Sequence, residues 1–141
     1  MENVNIPPCF YRVSVKALVH NSEGKFLLSK EDNGLWEMPG GGVDHGEDPR
    51  ECLIREVHEE MGLEVISMAE QPSYFFTSTN RKGINIANVL YATTLKDLNF
   101  TPSEECIEIG FFTLEEAKNL KTFPNIQSFL KVYNPTNHVH H

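Results

Sequence analysis

The chain has 141 residues, of which 40% are apolar and 23% charged. That length fits one domain, and the composition is that of an ordinary globular chain, which excludes collagen-like, coiled-coil and wholly disordered classes. Twelve basic against twenty acidic residues leave a net charge of −8, which argues against gripping a nucleic-acid polymer by its backbone.

The N-terminus, MENVNIPPCFYR, has no basic region followed by an apolar core. No stretch approaches the roughly 18 consecutive apolar residues that a spanning helix needs, so no membrane role and a cytoplasmic location are expected. Cys9, Cys52 and Cys106 are odd in number and far apart. They supply neither a disulfide framework nor a CxxC zinc site, and reduced, half-buried thiols are expected.

In chain order, Phe10 to His20 alternates, with Tyr11, Val13, Val15, Ala17 and Val19 on one face and Arg12, Ser14, Lys16 and His20 on the other. This predicts a half-buried strand. NSEGK at 21–25 supplies a turn, and FLL at 26–28 a returning strand. Leu35 to Met38 reads as a short strand cut off by Pro39 and three glycines. Val65 to Met68, Tyr74 to Phe76 and Ile84 to Leu95 are rich in β-branched and aromatic residues, with Arg81, Lys82 and Gly83 as the loop between the last two.

Cys106 to Phe112 is a last strand, followed by Thr113 and Glu116 in capping-box spacing ahead of a short helix. A second helix begins near Pro124, with Ile126, Phe129, Leu130 and Tyr133 on its buried face and Asn134 and Pro135 at its end. The expected domain is 1–134. Residues 135–141, NPTNHVHH without its first Asn, have no apolar period and are expected to fray; His138, His140 and His141 read as a tail rather than a metal site.

Most of the excess negative charge lies in one sixth of the chain. Gly41 to Glu64 holds eight acids (Asp44, Glu47, Asp48, Glu51, Glu56, Glu59, Glu60, Glu64) and two bases, Arg50 and Arg55; the remaining residues hold twelve acids and ten bases. Within it, Asp48 can cap, Pro49 fits the first helical position, Glu51 completes a reciprocal cap, and Gly62 suits a left-handed stop. The spacing predicts a helix over about 49–61. Glu56, Glu59 and Glu60 share one arc of it, beside an apolar arc of Leu53, Ile54, Val57 and Met61.

Glu56 and Glu60 at i, i+4 repel each other and call for a counter-charge. Either solvent screens them or a cation sits there, and oxygen-only ligands suit Mg²⁺ or Mn²⁺, which complete their shells with water and substrate phosphates. Arg55, one turn from Glu51 and Glu59, is placed to orient a carboxylate. The glycines of PGGG let a loop backbone approach the cluster.

Gly41, five residues, Glu47, seven residues, Arg55-Glu56-Val57, one residue, Glu59-Glu60, one residue, Gly62-Leu63 resembles the Nudix box at every fixed position, over residues 41–63. Trp36, Pro39 and Gly40 are similar to the usual lead-in, and the order of elements is compatible over most of the chain. The resemblance is to MutT-like Nudix hydrolases. It implies an α/β/α sandwich with a mixed sheet, and cleavage of a diphosphate linkage in a nucleoside diphosphate joined to another moiety, such as a nucleoside triphosphate, nucleotide sugar or dinucleotide. Its second implication, a catalytically silent nucleotide-sensing module, usually goes with lost box glutamates, and here they are all present.

Carried over, the resemblance makes Glu56, Glu59 and Arg55 catalytic, with Glu56 the leading base and Arg55 orienting the glutamates. It gives Glu56, Glu59, Glu60 and the Gly40 carbonyl to Mg²⁺ or Mn²⁺, with a further late glutamate, Glu105 or Glu108 ahead of Glu104. Glu47 is structural or a distant metal partner. Arg12, Lys30 and Gly41 are candidate substrate contacts, and Trp36, Tyr74, Phe75 or Phe76 could stack on a base. His45 and His58 fall at variable positions. Ser78 and Thr79 stand where ADP-ribose and diadenosine-polyphosphate hydrolases carry proline and tyrosine, and EQPSYFF at 70–76 matches the NADH-cleaving branch only weakly. The expected partner is a small nucleotide-type diphosphate, bound by a monomer or homodimer.

Overall fold

The structure, a computed structural model, describes residues 8–138. Two sheets form its centre. Strands β1 (Arg12–Leu18), β4 (Gly40–Gly42), β5 (Val65–Met68), β6 (Tyr74–Thr79) and β7 (Asn85–Leu95) form one, in the order β4-β1-β7-β5 with β6 also on β7. Strands β2 (Phe26–Lys30), β3 (Trp36–Glu37) and β8 (Glu108–Phe112) form the other, in the order β3-β2-β8. The β1–β7 pair is parallel and the remaining pairs are antiparallel, so the larger sheet is mixed.

Helix α1 (Pro49–Met61) covers one face, burying Cys52, Leu53, Val57 and Met61 against Val15, Ala17, Leu27 and Tyr91. Helix α3 (Pro124–Val132) covers the other, with Ile126, Phe129 and Leu130 packed on Leu18, Phe26, Leu28, Phe76 and Leu90. The expected α/β/α sandwich in a single domain is thus present. The covering of both faces explains why Ser14 to Leu18 is buried at every position, where alternation predicts a strand open on one side.

Helix α1 runs over the expected span. Asp48 accepts from the Arg50 N–H at 2.8 Å and Gly62 stops the helix at φ 66°; the reciprocal bond from Glu51 is not among those of the described residues. The box at Thr113 is complete, with Thr113 Oγ1 and Glu116 each accepting the other's backbone N–H ahead of α2 (Leu114–Ala117).

Two expectations are corrected. The short strand at Trp36–Glu37 does end before Pro39, but the glycines that follow form β4, paired with Ser14, Val15 and Lys16; a strand without side chains lies close to its neighbours on both faces. The tail does not fray throughout, since Pro135–His138 makes a 3-10 turn and His138 Nε2 meets the Tyr74 hydroxyl at 2.7 Å. Residues 139–141, including His140 and His141, lie outside the described residues. Cys9 is exposed, while Cys52 and Cys106 are buried free thiols pushed up to about 11 by desolvation. Among the described residues no helix is long and apolar enough to cross a membrane.

Candidate functional site

Helix α1 projects its carboxylates towards a cleft of about 430 Å³ lined by Glu56, Glu59, Ser103, Glu104 and Glu105. Four acids around one opening repel each other, and Arg55 pairs with two of them, Glu56 and Glu59. Arg55 donates from Nε and Nη2 to the two oxygens of Glu47 (3.0 and 3.2 Å) and from Nη1 to both Glu56 and Glu59 (3.1 Å each). That fork fixes where Glu56 and Glu59 point. The bond from Arg55 holds Glu47 below the usual carboxylate range, and the Glu47 and Glu59 bonds push Arg55 up.

Glu60 is the exception on α1: its side chain is turned inward and only 7% of the residue is exposed. Burial pushes its carboxyl up to about 9; Glu105 and Glu56 push the same way, while Lys16 and the Gly40 backbone amide oppose. The last turn of α1 is held in turn by Ser103, whose hydroxyl donates to the Glu60 carbonyl at 2.7 Å.

Strand β4 forms the wall beside these acids. A Cβ on Gly41 would lie 2.7 Å from the Glu56 carboxyl carbon, and one on Gly40 would strike the Val15 carbonyl oxygen. Gly40 also holds φ at 142°, open in practice to glycine alone. Gly41 therefore lets Glu56 rest against bare backbone, and Gly40 lets β4 lie close to β1.

Across β4, on the α3 face, lies a cleft of about 780 Å³ that reaches from Gly41 and Gly42 to the first turn of α3. Its charge is opposite. Arg12, Lys16, Arg81 and Lys82 line it with Glu37 as the only acid among the described residues, and Asn80, Asn88 and Asn125 add amides. Asn88 is fully buried; its amide nitrogen donates to Phe76, Ser78 and Ile86, leaving Oδ1 without a partner among the described residues.

The structure thus brings Arg55, Glu56, Glu59 and Glu105 to one cleft, buries Glu60, and puts Arg12 and Gly41 at the other. It does not bring in Glu108 or Lys30. They face each other across β8 and β2, and Lys30 Nζ sits 5.9 Å from the Trp36 ring centre. Nor do the expected stacking aromatics line either cleft: Trp36 and Phe76 are core, Tyr74 packs on Phe129 and Tyr133, and Phe75 is exposed. Phe123 is the aromatic that does. Sequence reasoning missed Glu37, Asn125 and the inward turn of Lys16, because the strand pattern gives no sign that the polar face of β1 becomes interior.

Among the described residues no three acids, thiols or imidazoles stand at ligand distances for a metal, and Arg55 pairs with two of the glutamates. The donor set nonetheless fits a hard divalent cation. All its members are oxygens, and the desolvated Glu60 carboxyl has only a backbone amide and Lys16 to offset its charge.

The site is thus a carboxylate cluster and a basic cleft on either side of β4 in an α/β/α sandwich. The chain belongs to the Nudix hydrolase family: a NUDIX domain spans residues 10–133. It is similar to the RNA pyrophosphohydrolases of Gluconacetobacter diazotrophicus (33% identical over 75 residues, 45% of each chain) and Bartonella henselae (35% over 83 residues, 52% of this chain and 48% of the relative). The chain spans about half the length of the curated relatives it matches. The crystal structure of a MutT protein from Methanosarcina mazei Go1 superposes with a TM-score of 0.69 at 27% identity, over 92% of this chain and 96% of that one.

Proposed function

We propose that this chain is a divalent-metal-dependent hydrolase of a diphosphate linkage in a small nucleotide-type substrate. The observation that carries this is the pairing of the two clefts across β4, an acidic one ordered by Arg55 and a basic one lined by Arg12, Lys16, Arg81 and Lys82. A diphosphate laid across bare glycine would present one end to each.

Glu56, Glu59, Glu60 and Glu105 would hold Mg²⁺ or Mn²⁺, with the Gly40 carbonyl as a further oxygen. Such a cation supplies charge neutralisation for the diphosphate and makes water more acidic. Glu56 then has the position of the base: it lies against Gly41, with one oxygen tied to Arg55. It takes the proton as the water oxygen bonds to phosphorus and the bond to the bridging oxygen breaks, which leaves two phosphate-bearing products. Arg55 keeps the carboxylate aimed, and Arg12 at Gly42 neutralises the end of the substrate in the basic cleft.

The test is turnover with Mg²⁺ or Mn²⁺ on nucleoside triphosphates, nucleotide sugars and dinucleotides. An RNA carrying a 5′-triphosphate belongs in the panel because of the names of the relatives. Metal-dependent cleavage reduced about 10²- to 10⁴-fold in Glu56→Gln is the expected result. Tight metal and nucleotide binding without cleavage of any substrate would instead favour a sensing module.

A further inference from the structure

Lys16 is the residue the fold explains least. The neighbouring inward position on β1, Leu18, is core, and Lys16 pairs in register with Leu90, also core. At Lys16 an ammonium replaces the apolar residue that this interior would take, and only 7% of the residue is exposed. Burying a charge is costly unless it is paired and hydrogen-bonded.

Its pairing is incomplete. Nζ lies 3.7 Å from Glu37 Oε2, beyond hydrogen-bond distance, and donates no hydrogen bond among the described residues. Glu37 is itself anchored by its other oxygen, which accepts from the Met38 N–H at 2.8 Å and from Asn125 Nδ2 at 2.7 Å. The carboxylate therefore cannot swing closer without losing those bonds. Lys16 lines the basic cleft, and the first turn of α3, which opens at Pro124 without a side-chain cap, lines the wall opposite. Both present positive charge to the same space. Among the described residues no other acid lines the cleft; Glu60 and Glu31 act on Lys16 through their charge from outside it and accept no hydrogen bond from Nζ.

We propose that Lys16 is a substrate-binding residue whose ammonium donates to a phosphate oxygen on the basic-cleft side of β4, held in place by Glu37 and Asn125. The nature of the ligand rests on the diphosphate reading above; the need for an anionic oxygen at Nζ rests on the burial and geometry of Lys16. Substrates with phosphate on that side bind through Lys16, and those presenting only a neutral group there gain nothing from it.

The test is calorimetric binding of the four ribonucleoside 5′-(α,β-methylene)diphosphates in EDTA, so that neither metal nor turnover enters. At least one of them should bind the wild type, and Lys16→Met should weaken it tenfold or more. The Lys16→Met/Glu37→Gln double variant leaves the net charge of the cleft unchanged and removes the stranded carboxylate, and carries the test where the single variant melts early. It too should bind at least tenfold more weakly. Recovery of the double variant to within threefold of wild type would show that Lys16 merely neutralises Glu37, and overturns the inference. So does a wild type that binds none of the four. Lys16-dependent binding in a chain that cleaves nothing would sink the hydrolase reading alone, whereas Lys16-independent binding in an active enzyme would sink this one alone.

Discussion

Arg55 carries more of the acidic cleft than any other single side chain. Its guanidinium reaches three carboxylates on two elements, Glu47 before α1 and Glu56 and Glu59 on it. A lysine is a point charge with no planar fork, so it cannot hold Glu47 with both oxygens while also reaching Glu56 and Glu59. Arg55→Lys should therefore keep the fold and lower turnover by about 10- to 100-fold, the usual effect of losing a group that orients ligands. Steady-state kinetics read against the thermal melt check this; a variant within threefold of wild type would mean that the glutamates are aimed by something else. The residue type and its spacing were legible in the sequence, because Arg55 and the glutamates fall on one helical arc. The bond to Glu47 was not, since a loop residue's approach depends on the turn at Gly46.

At the scale of the element, β4 separates two functions that adjacent glycines serve. A side chain on Gly40 would meet fixed backbone, the Val15 carbonyl, in a region of φ that other residues rarely adopt. A side chain on Gly41 would meet only the end of a flexible one, the Glu56 carboxyl. Gly40→Ala should thus lower stability by about 1–3 kcal/mol from backbone strain alone, seen as an earlier melt. Gly41→Ala should leave the melt nearly unchanged and lose turnover, because Glu56 is the group that gives way. Equal melts for the two variants would contradict this division. The sequence showed that glycine run as a break, which is the ordinary meaning of proline followed by glycines. Its pairing with Ser14 to Lys16 is a long-range contact that no local pattern encodes. By contrast α1 was legible to the residue and the starts of α2 and α3 nearly so, since their caps and apolar faces are written locally, while α3 stops at Val132, short of Asn134.

At the scale of the whole molecule, the charge that the sequence packs into residues 41–64 is set on the α1 side of β4, with much of the scarce positive charge across it. The local balance was readable from composition; the opposite cleft was not, because Arg12, Lys16, Arg81 and Lys82 are scattered in sequence and meet only through the β1–β7 pairing and the β6–β7 hairpin. One consequence reaches global stability. Folding raises Glu60 from 4.5 to about 9, so between those values the folded chain binds a proton that the unfolded chain has released. Metal-free stability must then fall as pH rises from about 4.5 to about 9. A divalent cation at the proposed site on Glu60 would take the place of that proton, so stabilisation by Mg²⁺ should be small near pH 5 and grow towards pH 9. Glu60→Gln is the necessary comparison: it keeps the shape and removes the proton. Thermal melts at pH 5.5, 7 and 8.5, in EDTA and in Mg²⁺, should show the wild type losing stability with pH only in EDTA. The variant should be flatter, more stable than wild type at pH 8.5 without metal, and little helped by Mg²⁺. Parallel pH curves for the two chains in EDTA would mean that Glu60 is not the group that binds the proton, and would remove the strongest physical reason for placing a cation beside it.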